Sequence, residues 1–211
     1  MLVQGIMTKN VVTVSSNTSA VDALKIMKEK NFRRLPVVDK KGKLVGLVTE
    51  SRLERVKPQA TTPLLWQMTY LISHTKVSDV MRRRLVTVKP TDTVEQVVAK
   101  AQKAKVGTLV VIEDNKIVGI CTTNDIFYKV ANPTLGIGET GTRILIEAGG
   151  KAAEAIIHCI NQLGVGIKLI WTSPSSTTKK LDLTLQLDTK DATTVIEELA
   201  KLGYKSEIRQ R

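Results

Sequence analysis

Thr122 and Asp125 stand three residues apart at the close of the stretch GICTTNDIF, residues 119–127. A Thr-x-x-Asp pair at a helix start forms a capping box, in which each end satisfies an exposed N–H of the first turn. The chain repeats the stretch as GLVTESRLE, residues 46–54, but sets Arg52 where Asp125 stands. A carboxylate accepts hydrogen bonds and a guanidinium only donates them. A cation in the first helical turn also costs about 0.3–1 kcal/mol against the helix dipole. The two copies therefore differ in the chemistry they can offer at one equivalent point.

The elements that carry these residues come from a longer internal repeat. Shifted by 74 residues, GIMTKNVVTVSSNTSAVDALKIMKEKNFRRLPVVD lies without a gap over DVMRRRLVTVKPTDTVEQVVAKAQKAKVGTLVVIE, and one residue is lost in the hairpin that follows. Each copy opens with a β-branched strand, VVTV or LVTV. An amphipathic helix follows, with apolar positions at Val21, Leu24 and Met27, or at Val94, Val97, Val98 and Ala101. Two apolar strands come next, joined by turns rich in Asp39, Lys41 and Gly42, or Asp114 and Asn115. The unit reads β-α-β-β-α.

Bulk properties narrow the function classes. The chain has 211 residues, 42% of them hydrophobic, enough to bury a core. No apolar run approaches the roughly 20 residues that cross a bilayer, and MLVQGIMTKN lacks the basic and apolar segments of a leader, so a cytoplasmic protein is expected. Cys121 and Cys159 fit neither a disulfide framework nor a metal cluster and read as buried thiols. The net charge is +12, with 22 basic against 11 acidic residues up to position 138 and 10 against 9 after it. That excess suits nucleic acid, small phosphorylated ligands, or a solvated basic surface.

The methionine before the first strand, the VTV and LPVVD strands and the G-h-h-T-x-x-D close together resemble a cystathionine-β-synthase (CBS) domain, used twice, over about residues 1–57 and 76–131. The resemblance implies a CBS pair, or Bateman module, whose two units pack about a pseudo-twofold axis. Such pairs bind adenosyl compounds, among them AMP, ADP, ATP and S-adenosylmethionine, in clefts between the units.

In that family the aspartate of the close accepts from the ribose diol and the threonine lies near phosphate. By position these are Asp125 and Thr122, while Arg52 departs from the pattern. A helix start offers free N–H groups that favour an anion, consistent with both roles. The resemblance places the base against Val86, Thr87, Gly107, Thr108 and Leu109. Gly107 either admits a ring close to the backbone or is a turn glycine. Arg33 and Arg34 are candidates for phosphate, and the run Arg82, Arg83, Arg84 reads as a solvated face with Arg84 nearest the cleft.

Between the copies, residues 58–75 read as a linker with a helix whose apolar stripe, Leu64, Leu65, Met68, Leu71 and Ile72, suits a core or dimer contact. Trp66, Tyr70 and His74 ride on it, and His74 has no second histidine near enough to bind metal. After a linker at 132–139, residues 140–211 read β-α-β-β-α-β, a ferredoxin-like sheet with helices on one face. One helix sets Ala152, Ala155, Ile156, Cys159, Ile160 and Leu163 on one face and ends at Gly164.

EAGGKAAEAI leading to LGVGIKLI resembles an ACT domain, a regulatory module that often binds amino acids and also pairs through its sheet. Glu147, Gly149 and Gly150 stand where that family commonly has Asp and then Pro-Gly. The same topology carries RNA-binding domains, but those need aromatic side chains on the central strands. TRILIEA and LDLTLQLD have none, so nucleic acid is not the expected partner.

No Walker-type loop, metal cluster or nucleophile motif is present, so no catalytic role, catalytic cofactor or metal is expected. The domain combination is similar to bacterial proteins labelled as acetoin utilisation proteins. The expected fold class is α+β, a tandem CBS pair followed by an ACT-like domain. The expected function is a cytoplasmic, homodimeric sensor of an adenosyl compound with a protein target that the sequence does not name. The alternatives are a metabolite sensor working through the ACT loop and a nucleic-acid-binding regulator using the basic face.

Overall fold

A computed structural model of the chain describes residues 1–55, 74–147, 152–175 and 181–209. The expected inter-repeat helix, apart from His74 and Thr75, lies outside them, as do Gly149 and Gly150. The chain divides into two compact units, Met1–Lys129 and Val130–Arg211. Among the described residues no helix is long and apolar enough to cross a membrane.

The first unit holds both repeats. In repeat one, α1 (Val3–Ile6) precedes β1 (Val14–Ser15), α2 (Ala20–Glu29), β2 (Arg34–Val38), β3 (Leu44–Thr49) and α3 (Glu50–Glu54). In repeat two the equivalents are α4 (Val77–Val80), β4 (Thr87–Val88), α5 (Val94–Ala104), β5 (Thr108–Glu113), β6 (Lys116–Thr122) and α6 (Thr123–Ile126). A π-helical turn at Phe127–Ala131 follows. Each repeat forms a three-stranded sheet in which the first strand runs parallel to the second and the second pairs antiparallel with the third.

Local chemistry accounts for these elements. Ser19 and Thr93 cap α2 and α5 by accepting from the N–H groups of Asp22 and Gln96. Asp114 and Asn115, both with positive φ, make the two-residue turn between β5 and β6. Small polar residues tolerate that left-handed geometry, which matches the twist of the hairpin. The inward face of α2 differs from the expected one. Ala20, Ala23 and Met27 are buried while Val21 is 41% exposed, so the small side chains of the helix, with Met27, face the core of repeat one.

The repeats exchange their short first helices. α1 belongs in sequence to repeat one but docks on repeat two: Leu2 bridges Thr93 and Thr8 bridges Ile120. α4 does the reverse, with Lys76 bridging Ser19 and Arg82 bridging Leu47, and Val77 and Met81 complete the core of repeat one. Each bridge has its counterpart in the other repeat. The contact that seats each helix is a methionine on a glycine. A Cβ at Gly46 would strike the side chain of Met81, and one at Gly119 would strike that of Met7.

The second unit contains β7 (Thr142–Ile146), α7 (Ala153–Gln162), β8 (Ile167–Pro174), β9 (Leu181–Leu187), α8 (Thr193–Lys201) and β10 (Ser206–Ile208). Its antiparallel sheet has the order β10-β7-β9-β8. Ile144 and Ile146 join Leu183, Leu185 and Leu187 on one face, under Ile156 and Ile160 of α7 and Val195 and Leu199 of α8. This is the ferredoxin-like order, with both helices on one face. Ala155, expected on the buried stripe of α7, is exposed, and Ala153 packs against the core instead.

Gly119→Ala is expected to cost about 1–3 kcal/mol through overpacking on Met7, more than the strand preference of alanine returns. Met7→Ala in the same chain should recover part of the loss, because contacting sites are not additive. Urea unfolding of the two single variants and the double variant measures this, and strictly additive losses would contradict the contact.

Candidate functional site

Asp125 lies at the start of α6, 7% exposed, in a web of donors. Thr122 donates to its Oδ2 from the backbone N at 2.8 Å and from the hydroxyl at 2.7 Å, while the same hydroxyl accepts from the Asp125 N–H at 3.4 Å. The capping box is thus closed. Oδ1 accepts from the Lys129 ammonium at 2.8 Å and from the Thr8 hydroxyl at 3.3 Å. Burial alone would push the Asp125 carboxyl up, but hydrogen bonds from Lys129 and Thr122 outweigh it and hold the group below the ordinary value of 3.8. Behind it, burial first and the Asp125 charge second push the Cys121 thiol up to about 11.

Lys129 also donates to the carbonyl of Ile6 at 2.6 Å, at the C-terminal end of α1, where helix carbonyls lack intrahelical partners. Arg52 does the equivalent work in repeat one. Its Nη1 donates at 3.1 Å to the carbonyl of Val80, the residue of α4 that matches Ile6. Both repeats therefore tie the end of the exchanged helix with a cation. Repeat two uses Lys129 and holds it with Asp125; repeat one uses Arg52 itself and has Val56 where Lys129 would fall. Sequence reading missed Lys129, although its (i, i+4) spacing from Asp125 was the available signal.

Asp125 opens onto a cleft of about 470 Å³. Repeat two contributes Ile120, Thr122, Asn124 and Asp125; repeat one contributes Val11, Val12, Phe32, Arg33, Arg34 and Pro36. The size suits a small organic ligand. Apolar walls, two guanidinium groups and one buried carboxylate line it.

The expected residues are divided between separate clefts. Asp125, Thr122, Arg33 and Arg34 line one cleft. Val86, Gly107, Thr108 and Arg84 do not join them; they line a second cleft of about 210 Å³ around Arg52, which Arg34 also borders. Thr87 lines a separate hollow of about 200 Å³ beside Lys43 and Asn115. Leu109, 3% exposed, borders an apolar hollow beside α5. The cause is the helix exchange. Because α1 docks on repeat two, the segment that leaves it, Thr8 to Val12, crosses the Asp125 site before entering its own sheet. The first strand and the carboxylate that meet in one cleft thus come from different repeats. In the second unit, Glu147 forms an ion pair with Lys205 at 3.0 Å. Among the described residues no cluster of His, Cys, Asp or Glu could hold a metal ion.

The CBS domain family model matches residues 3–57 and 77–132. The chain belongs to the CBS domain family. Its CBS pair is 28% identical to the CBS domain pair of protein MJ0100, solved in complex with 5′-methylthioadenosine and S-adenosyl-L-methionine, with a TM-score of 0.53 over 63% of this chain and 97% of that one. It is 27% identical to a Vibrio cholerae protein ascribed to acetoin utilization (AcuB), with a TM-score of 0.53 over 66% and 96%. It is 25% identical to CBSX2, solved in complex with AMP, with a TM-score of 0.52 over 62% and 97%. Among curated proteins, L-aspartate semialdehyde sulfurtransferase of Methanocaldococcus jannaschii is 30% identical over 128 residues, 59% of this chain and 22% of that protein. The chain spans between about a fifth and a third of the length of the first curated relatives that it matches.

In Lys129→Met the Asp125 carboxyl is expected to titrate at higher pH than in the parent protein. The stability that the pair contributes needs the ionised carboxylate, so the difference between the two proteins should be full above pH 3.8 and disappear as pH falls through the lowered native value. Carboxyl NMR titration and urea unfolding on either side of that pH test both statements. An unchanged titration would remove Lys129 from the site.

Proposed function

We propose that the chain is a regulatory protein without catalytic activity, whose CBS pair binds one adenosyl compound in the Asp125 cleft. The observation that carries the reading is a buried, ionised carboxylate at one end of a cleft that has apolar walls and two arginines. Such a cleft can accept from a ribose diol, receive a base on Val11, Val12, Phe32 and Ile120, and meet phosphate or carboxylate with Arg33 and Arg34. The complexes of MJ0100 and CBSX2 with adenosyl ligands support that class.

Asp125 already accepts four hydrogen bonds, and a carboxylate offers about four acceptor sites. A ribose hydroxyl therefore enters by displacing a donor. The longest bond, from Thr8 at 3.3 Å, is the one that yields. Thr8 follows α1, so ligand entry would be felt by the exchanged helix, and a ligand that favours one seating of that helix shifts the pair between two arrangements.

The βαββαβ order of the second unit, with the helices confined to one sheet face, supports an ACT-like module whose other face or edges pair two copies of the chain. The Glu147–Lys205 ion pair occupies a carboxylate that the ACT resemblance assigns to ligand, which favours dimerisation over amino-acid binding.

Isothermal titration with AMP, ADP, ATP and S-adenosylmethionine is expected to show one site per chain for at least one of them. Asp125→Ala should abolish that heat in a chain that still folds, its lower stability reflecting the lost capping box and the lost pair with Lys129. Two sites per chain, or binding that survives Asp125→Ala, would refute the assignment.

A further inference from the structure

The clefts around Asp125 and Arg52 are lined largely by equivalent positions of the two repeats, and the two arginines of the first, Arg33 and Arg34, have Gly107 and Thr108 as their counterparts in the second. Asp125 is replaced by Arg52, Thr8 by Arg82, Asn10 by Arg84 and Asn31 by Lys105. With Arg34, which borders both clefts, five cationic side chains face a volume of about 210 Å³ that no carboxylate among the described residues lines. The Asp125 cleft has two arginines and one carboxylate around about 470 Å³.

Among the described residues none of the five forms an ion pair, although Lys100 and Lys129 in the same unit have carboxylate partners. Arg34 and Arg52 each donate to one backbone carbonyl, of Gly107 at 3.5 Å and Val80 at 3.1 Å, which leaves most of their N–H groups free. The side chains of Arg82, Arg84 and Lys105 make no hydrogen bond within the described residues. Like charges gathered in one concavity repel, and a multiply charged anion relieves that repulsion at all of them together.

We infer that the Arg52 cleft is a site for a compact anion carrying two or more phosphate groups, and that it does not take a nucleoside. Three features select that class. The replacement of Asp125 by Arg52 removes the side-chain acceptor that a sugar diol needs. The volume is below the roughly 300–1,000 Å³ of ordinary organic-ligand pockets. Arginine forks bind phosphate oxygens in pairs, and several of them converging suit a ligand with more than one phosphate. The hydroxyls of Thr49 and Thr108 at the lining offer further donors. Because Arg34 serves both clefts, an anion here also draws on a side chain that the Asp125 cleft uses.

The test is isothermal titration of the full chain with inorganic pyrophosphate, with orthophosphate and a single-stranded oligonucleotide as controls. Pyrophosphate is expected to bind at one site per chain. Arg82→Ala and Arg84→Ala, whose side chains hold nothing else in place, should each weaken it about tenfold, the loss of one charge-assisted contact, with the urea midpoint unchanged. Asp125→Ala should leave it unaffected, which separates this site from the adenosyl reading. Four results would overturn the inference: no pyrophosphate heat, equal affinity for orthophosphate, undiminished affinity in the Arg82→Ala/Arg84→Ala double variant, or loss in Asp125→Ala. An oligonucleotide that binds where pyrophosphate does not would replace it with a nucleic-acid surface.

Discussion

The seating of a methionine on a glycine, made twice, is the constraint on which the CBS pair depends. Met7 lies over Gly119 and Met81 over Gly46, and in each case the methionine comes from one repeat and the glycine from the other. A strand glycine is costly in backbone entropy, but here the missing Cβ makes room for a side chain that belongs to the partner repeat. Neither repeat closes its core alone: Val77 and Met81 finish the core of the first, and Val3 and Ile6 are buried in the helix docked on the second. The two therefore fold as one unit, and the segments leaving the exchanged helices are led across the clefts where a ligand could sit.

The same exchange explains why one repeat carries a carboxylate and the other a guanidinium at the matching point. Each exchanged helix ends in a carbonyl that needs a donor, and each repeat supplies a cation for it, Lys129 to Ile6 and Arg52 to Val80. The structural requirement is equal in both copies. What differs is where along the closing helix the cation sits. With the cation one turn later, position 125 is free to carry a carboxylate that steadies Lys129 and faces the cleft. With the cation at position 52 itself, the second cleft has no acceptor there. A change that looks like a reversal of charge is thus a relocation of the same cation, and it makes the two clefts chemically unlike.

The second unit is governed by a simpler rule. Alternating apolar residues on β7 and β9 meet the stripes of α7 and α8, and the order β10-β7-β9-β8 follows once two βαβ halves share one sheet.

Much of the fold was legible from the chain itself. Periodicity and caps marked the helices, Asp114 and Asn115 marked a hairpin, and the 74-residue offset exposed the repeat, because these signals depend on neighbours within a few residues or on direct comparison. The pairing of Thr122 with Asp125 was legible for the same reason. The inward turn of Ala20 and Ala23 in place of Val21 was not, since it depends on which side of α2 meets the core. Nor was the grouping of Asp125 with Val11, Val12 and Phe32 instead of Val86 and Thr108. Periodicity reports which face of an element is apolar, but not which copy of a repeated element it will face. That was decided only when the first helices crossed over, because contacts between residues far apart in the chain leave no local pattern.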